Sequence, residues 1–342
     1  VEVDAPDYLA MASWGVGLPW YPEMRIYWPH LQRLRRRLAA DGVDLVHLTT
    51  PGPVGLAARW LYRRHPRPLI GSYHTHLGDY VTTYSGSAAF GRGLERYMRW
   101  FYGPCATVLV PSAATRALLI GHGYDAAQVQ VWSRDVDTDR FRPEARSPQL
   151  RAHWGVSDDT LAILYTGRLS SEKGLDLFGP LQRALHLRGV RYRLIFLGDG
   201  PLRPALERWC PGAVFEGTVP PAVVAAAMAT ADAFVFPSAT DALGNVVVEA
   251  QACGCPVLVT DRGGPREQLV PGVTGWICPS GDADAFAERI ADWWRRPAHR
   301  REMGDAGVRY ARGRSWPHAL APLYDCWREA LALTPRDHRR GA

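Results

Sequence analysis

Among 40 basic residues the chain carries a single lysine, Lys173; the rest are arginine. Arginine serves wherever any cation will do. One retained lysine therefore marks a place suited to a compact ammonium rather than a planar guanidinium. Lys173 lies in the run Gly167-Arg168-Leu169-Ser170-Ser171-Glu172-Lys173-Gly174, directly after an apolar stretch at residues 161–165. The spacing predicts a strand-to-helix turn with Arg168 and Lys173 on it. Two cations and the N–H groups of a helix start then meet at one strand exit, a combination suited to a diphosphate. The plainer alternative is a solvated surface turn.

A second block, residues 236–250, holds Asp241 in a loop and Glu249 eight residues later. A helix starting near Gly244 would place Glu249 two turns in, as an exposed carboxylate. Gly244 and Asn245 would then offer N–H groups at an anion-binding helix start. A carboxylate accepts two hydroxyl hydrogen bonds at once, so the pair suits a ribose and a hexose at opposite ends of a diphosphate. A single Glu on a helix would otherwise be an ordinary surface charge.

These residues need elements to hold them. Apolar strands are expected at residues 43–48, 68–74 and 106–110, then at 161–165, 194–197, 233–236 and 256–259, each followed by a polar loop and a helical stretch. This alternation predicts an α/β fold of doubly wound parallel sheets, with sites beyond the carboxyl ends of the strands. Ser112 is the expected N-cap of the helix after 106–110. A linker is expected around residues 140–148. Residues 1–29, rich in Trp, Pro and Tyr, show no clear period, and no opening strand with a Gly-rich turn precedes Val43.

Composition narrows the class. With 342 residues, 47% of them hydrophobic, about two domains are expected. No run approaches the ~20 apolar residues of a membrane span, and no signal peptide is apparent. A cytoplasmic protein is expected. The six cysteines form no C-x-x-C pair and read as reduced thiols. The net charge of +6 is spread among acids, which argues against a nucleic-acid partner. Arg33, Arg35, Arg36 and Arg37 on an early helix, with Arg92, Arg96 and Arg99 among aromatics, would suit peripheral contact with anionic lipid at an inner membrane face, or simply a soluble arginine-rich surface. Asp137-Thr138-Asp139 and Asp282-Ala283-Asp284 are D-x-D triplets at a turn and a helix start, where Asp is a routine cap, so no metal is expected.

The block at 236–250 resembles the E-x(7)-E signature of retaining glycosyltransferases of the GT-B fold, family 4, with Asp241 for the first Glu. Other motifs follow in the family's order: Ser72-Tyr73-His74-Thr75-His76, Val110-Pro111-Ser112, Val136-Asp137-Thr138-Asp139-Arg140-Phe141, Gly198-Asp199-Gly200-Pro201, Phe215-Glu216-Gly217, Gly263-Gly264-Pro265-Arg266-Glu267 and Thr274-Gly275-Trp276. The Ser-Tyr-His-Thr-His run is similar to the branch holding GDP-mannose-dependent mannosyltransferases and sulfoquinovosyl-diacylglycerol synthases. The resemblance implies two Rossmann-like domains facing a cleft: an acceptor-side domain at 1–143 lacking its N-terminal strand, a donor domain at 144–315, and a helix at 316–334 returning to the first.

By the same resemblance Arg168 and Lys173 hold the diphosphate of a nucleotide-sugar donor. Glu249 binds the ribose, and Asp241, Leu243 and Gly244 hold the sugar. Asn245 and Val246 lie by the phosphate. Gly167, Gly198, Gly200, Gly217 and Val219 complete the donor site, and the 215–219 loop borders the base. His74 acts near the anomeric carbon; the plain alternative for His74 and His76 is a neutral histidine satisfied by backbone. With this division of roles, losing Asp241 should scarcely affect binding of the bare nucleotide. The implied reaction is metal-free hexosyl transfer with retention, mannose-like, to a lipid or glycan hydroxyl, without any cofactor. Two departures stand out: Asp135 occupies a position usually held by Gly, and Asp241 is one methylene shorter than Glu. They and the absent opening strand raise an alternative, an impaired member that binds nucleotide sugar. A sugar-nucleotide epimerase shares the architecture but lacks a reason for the 168/173 and 241/249 pairs.

Overall fold

The protein's structure, a computed structural model, describes residues 12–18, 21–40, 43–62, 68–78, 82, 87–132, 135–314 and 316–332. The chain divides into two compact units. The first comprises residues 1–110, 116–131 and 322–342, and the second residues 111–115 and 132–321. Residues 132–143, read from the sequence as part of the first domain, group with the second unit because Val136 and Phe141 are buried in its core.

In the first unit, β1 (Ala12–Leu18) and β2 (Tyr21–Pro29) form an antiparallel pair, followed by α1 (Leu31–Ala40). Sequence periodicity gave no sign of this pair. It is a separate two-stranded sheet, with Trp14 and Trp28 stacked at 5.2 Å. The parallel sheet runs β3 (Val46–Leu48), β4 (Leu69–Ser72), β5 (Thr107–Val110), β6 (Val129–Val131), in that spatial order. Its helices are α2 (Pro53–Tyr62), α3 (Ala88–Tyr102) and α4 (Ala113–Gly121). β4 and β5 are buried throughout, as parallel strands covered on both faces must be. Ser112 does cap α4, accepting from the Thr115 N–H at 3.1 Å.

After the short helix α5 (Pro148–His153), the second unit opens with β7 (Leu161–Thr166), α6 (Phe178–Leu187), β8 (Tyr192–Leu197), α7 (Arg203–Trp209) and β9 (Val214–Gly217). It continues through α8 (Pro221–Thr230), β10 (Ala233–Phe236), α9 (Asn245–Ala252), β11 (Val257–Thr260), β12 (Gly275–Cys278), α10 (Ala283–Arg295) and α11 (Pro297–Arg312). The parallel sheet has the order β12-β11-β10-β7-β8-β9. In chain order that is the doubly wound 3-2-1-4-5-6 arrangement, whose direction reverses between β7 and β10. Asp282 caps α10, accepting from the Ala285 N–H at 3.0 Å, as a structural D-x-D predicts. A last helix, α12 (Trp316–Ala332), contains Pro322, from which point it groups with the first unit; its Trp327 meets His47 edge-on. Among the described residues no helix is long and apolar enough to cross a membrane.

One buried acid ties the second unit together. Asp232, just before β10, accepts from Arg151 at 2.8 Å and from the Ala162 N–H at 2.9 Å, and pairs with Arg300 at 3.2 Å. Removing one partner of a buried ionic cluster strands the others. Asp232→Ala should therefore destabilise the protein by about 3–5 kcal/mol, with the chain still folded at low temperature; urea unfolding measures it. A loss below about 1 kcal/mol would show the cluster to be solvated.

Candidate donor-binding site

The switch point between β7 and β10 brings the two sequence clusters together. β7 exits through Gly167 into Arg168 and two successive 3-10 turns, Ser171–Lys173 and Leu175–Leu177, before α6. The expected helix start at Lys173 is thus displaced: a regular helix begins only at Phe178. β10 exits through residues 237–244, and α9 follows. The two exits are stitched by the Glu172 carbonyl, which accepts from Thr240 Oγ1 at 2.9 Å and Ser238 Oγ at 3.3 Å. The Glu172 side chain is buried and takes a hydrogen bond from Ser170 Oγ.

Lys173 and Asp241, assigned from sequence to the diphosphate and the sugar, are bonded to each other. The ammonium lies 2.9 Å from each carboxylate oxygen, and both side chains are largely buried. Phe236 lies nearby, its ring centroid 6.0 Å from Lys173 Nζ, and stacks with Tyr165. The Tyr165 hydroxyl donates to the Arg168 carbonyl at 2.9 Å, which fixes the backbone of the turn, and Arg168 itself is half-buried. Burial drives the Tyr165 pKa well up, helped by the charges of Asp241 and Glu172, so this hydroxyl stays a neutral donor.

Gly244 caps α9 with φ +75°, a left-handed turn, and an added Cβ would lie 2.8 Å from Pro265 Cγ. Both conditions call for glycine. Asn245, Val246 and Glu249 share the half-exposed side of α9, while Leu243, Val247, Val248 and Ala250 are buried. Glu249 is not the exposed carboxylate expected. Burial raises its pKa from 4.5 to about 7, against the pull of Arg140. Arg140 comes from the 135–141 loop, where it pairs with Asp137 at 3.5 Å and where Asp135 is half-buried. Sequence reasoning quoted that motif without giving Arg140 a role; a basic residue inside a motif was the available signal.

The glycines at the β7, β8 and β9 exits converge. The Gly167 N–H donates to the Leu197 carbonyl at 2.9 Å, and the Gly198 N–H to the Gly217 carbonyl at 2.7 Å. Gly200 follows in the same loop, and Val219 is half-buried beyond β9. Phe215 stacks on Phe196, with the Arg203 guanidinium 5.8 Å from its ring centroid. His74 lies in the first unit, half-buried after β4, while its neighbour His76 is buried beside Tyr73.

Two family profiles match: "Glycosyltransferase Family 4" over residues 8–140 and "Glycosyl transferases group 1" over residues 147–309. A GDP-mannose-dependent alpha-mannosyltransferase of Mycobacterium tuberculosis is 33% identical over 83% of this chain and 72% of its own length. This chain belongs to glycosyltransferase family 4. The sulfoquinovosyl transferase SQD2 of Arabidopsis thaliana is 31% identical over 80% of this chain, which spans about half of that relative, 54%. Among solved structures, sucrose-phosphate synthase of Thermosynechococcus elongatus aligns at TM-score 0.75 and 21% identity, over 89% of this chain and 78% of its own. Anabaena HepE in complex with UDP aligns at TM-score 0.73 and 20% identity, over 87% and 82%. They share the GT-B fold. The protein is a glycosyltransferase, moving a sugar from a nucleotide-sugar donor.

The Lys173–Asp241 pair joins two residues to which the sequence reading gave separate roles, and a diphosphate held by Lys173 would compete with Asp241 for the ammonium. Lys173→Ala should weaken nucleoside diphosphate binding about tenfold or more. Asp241→Asn should strengthen it roughly two- to tenfold, the scale of one to two charge-assisted hydrogen bonds. Calorimetry with GDP and UDP decides; equal affinity in wild type and Asp241→Asn would show that the pair does not compete.

Were Glu249 to hold the ribose, as the resemblance implies, its raised pKa would make nucleotide binding depend on pH. A carboxylate accepts from two ribose hydroxyls, and a protonated acid accepts less well. Nucleotide affinity should rise as pH increases through about 7 and level off above it, and Glu249→Gln should flatten the profile. Because the native pKa is raised, the stability contribution runs the other way: it is present when the group is protonated and lost as pH rises through about 7. A pH-independent wild-type affinity between pH 6 and 8 would remove Glu249 from the ribose site.

Proposed function

We propose that the protein transfers a mannose-like hexosyl group, with retention and without a metal, from a nucleoside diphosphate sugar to a lipid or glycan hydroxyl. The observation that carries this reading is the convergence of Arg168, Lys173 and the start of α9 at the switch point of the second sheet. These groups suit a diphosphate leaving group, and they count for more as its negative charge grows in the transition state. The protein itself thereby supplies the positive charge that a metal provides in other transferases. Glu249 takes the ribose, Asp241 with the backbone of Leu243 and Gly244 takes the sugar, and the leaving phosphate oxygen accepts the acceptor proton. We assign His74 a role in transfer rather than in nucleotide binding.

The mannose assignment follows the GDP-mannose-dependent relative. Peripheral contact with a lipid surface is supported by side chains of the first unit: Trp14, Val16, Trp28 and Leu31 are exposed beside exposed Arg33, Arg35 and Arg36. Such aromatic and cationic groups suit an anionic lipid interface.

The test is turnover with GDP-mannose and competing nucleotide sugars on a lipid extract, with product configuration read by NMR. An α-linked product from an α-linked donor, formed equally in EDTA, is expected. An inverted product, or activity abolished by EDTA and restored by a divalent ion, would overturn the mechanism. His74→Ala should lower kcat about a hundredfold while leaving GDP affinity within about twofold, in line with the 10²–10⁴ contribution of a positioned catalytic group.

A further inference from the structure

The motif Gly263-Gly264-Pro265-Arg266-Glu267 takes no part in the donor reading, yet it lies directly against the loop that does. It leads into a single 3-10 turn, Pro265–Gln268. The Gly264 N–H donates to the Asp241 carbonyl at 2.8 Å. A Cβ on Gly263 would stand 3.0 Å from that same carbonyl oxygen, and one on Gly264 would overlap the Ala242 carbonyl. Pro265 in turn leaves no room for a Cβ on Gly244. The backbone at residues 241–244, assigned to the sugar, therefore rests directly on this turn.

The turn is fixed by Glu267. Its two carboxylate oxygens accept the N–H groups of Ala113 at 2.8 Å and Ala114 at 2.6 Å, both in the first turn of α4. Residues 111–115 group with the second unit, so this contact lies inside that unit. A helix start offers N–H groups that lack partners within the helix, and its dipole favours a negative charge. Among the described residues no basic side chain pairs with Glu267, so the helix start answers its charge. Ser112 takes the Thr115 N–H, and Thr115 Oγ1 reaches on to the Ala242 carbonyl at 3.4 Å. One helical turn thus holds both the Glu267 side chain and the loop beside it. From α9, the buried Gln251 donates to the Gln268 carbonyl at 2.6 Å. The cations proposed for the diphosphate, Arg168 and Lys173, come from the β7 exit and take no part in these bonds.

We propose that Glu267 is a positioning residue for sugar transfer. By capping α4 its carboxylate seats the 265–268 turn, and through Gly264 and Pro265 that turn sets the backbone at 241–244 against the donor sugar. The effect passes through the backbone, so Glu267 acts without contact with the donor. The proposal rests on the donor reading above, which gives residues 241–244 to the sugar. A displacement of about 1 Å near the reacting atoms can cost roughly a hundredfold in rate. A diphosphate held by cations from another strand exit is far less sensitive to it. Loss of Glu267 is therefore expected in kcat rather than in nucleotide affinity.

The experiment compares the full chain with Glu267→Ala, with Ala113→Pro and with both together. Proline at the first position of a helix removes one donor to Glu267 and is otherwise tolerated there. Turnover of GDP-mannose, or of UDP-glucose where wild type prefers it, is measured beside thermal unfolding and calorimetry with GDP and UDP. Glu267→Ala should lower kcat about tenfold to a hundredfold, with nucleotide affinity within about threefold of wild type. Ala113→Pro should lower kcat by less. The double variant should be no slower than Glu267→Ala, because the bond is already gone. An unchanged kcat in folded Glu267→Ala overturns the proposal. So does an equal fall in kcat and nucleotide affinity, which marks a purely structural acid, and so do losses that multiply in the double variant. If Glu267→Ala does not fold, Ala113→Pro decides by itself, with an unchanged kcat as the overturning result. Wild type that binds neither nucleotide strikes the donor reading, and this proposal with it; wild type that binds while the variants fail the pattern strikes this proposal alone.

Discussion

At the carboxyl ends of the central strands in the second unit, loops approach one another closer than a side chain permits. A Cβ on Gly198 would collide with the Gly167 carbonyl oxygen, one on Gly174 would stand 2.7 Å from the Pro237 carbonyl oxygen, and one on Gly264 would overlap the Ala242 carbonyl. This backbone-to-backbone contact brings the exits of β7, β8 and β10 into direct approach. It leaves polar groups at the meeting point, where the Glu172 carbonyl receives two hydroxyls from the neighbouring exit. The large aromatics lie one layer below: Tyr165, Phe178, Phe196 and Phe234 are fully buried and hold the strands rigidly beneath the loops. A rigid sheet under close-packed loops is the condition for placing charges to within a fraction of an ångström.

Three acids of this unit, Asp232, Asp241 and Glu249, show how burial assigns roles. Asp232 is buried with two arginines and a backbone donor and serves the fold. Asp241 is largely buried against one lysine, a pair that a proposed diphosphate ligand would have to open. Glu249 has only the weaker influence of Arg140, so its burial appears as a pKa of about 7. The same carboxyl chemistry yields a strut, a paired acid and a group poised near neutrality, according to how closely cations accompany it.

The proposed roles divide between the two units. The second holds every residue proposed for the donor, on one sheet with a single switch point. The first holds His74 and the exposed tryptophans of the β1/β2 pair. Each unit has its own core, so changes to the surface of one need not disturb the packing of the other.

The sequence by itself determined the alternation of strands and helices, the two-sheet architecture, and the clusters around Lys173 and Asp241. These depend on apolar runs, glycine placement and residue types, which are local properties. The strands β6, β9 and β12 were not legible because three or four residues carry too little pattern of their own, and the β1/β2 pair because its Trp-, Tyr- and Pro-rich segments show no clear period. The 3-10 turns at Lys173 escaped notice because they follow from the fit of Gly174 against Pro237, a residue from another loop. The clearest case is Glu249. Its position on α9 could be read from spacing, but whether it was exposed and ionised could not. Its pKa depends on how much water the surrounding chain excludes and on the approach of Arg140, and only the tertiary structure decides either one.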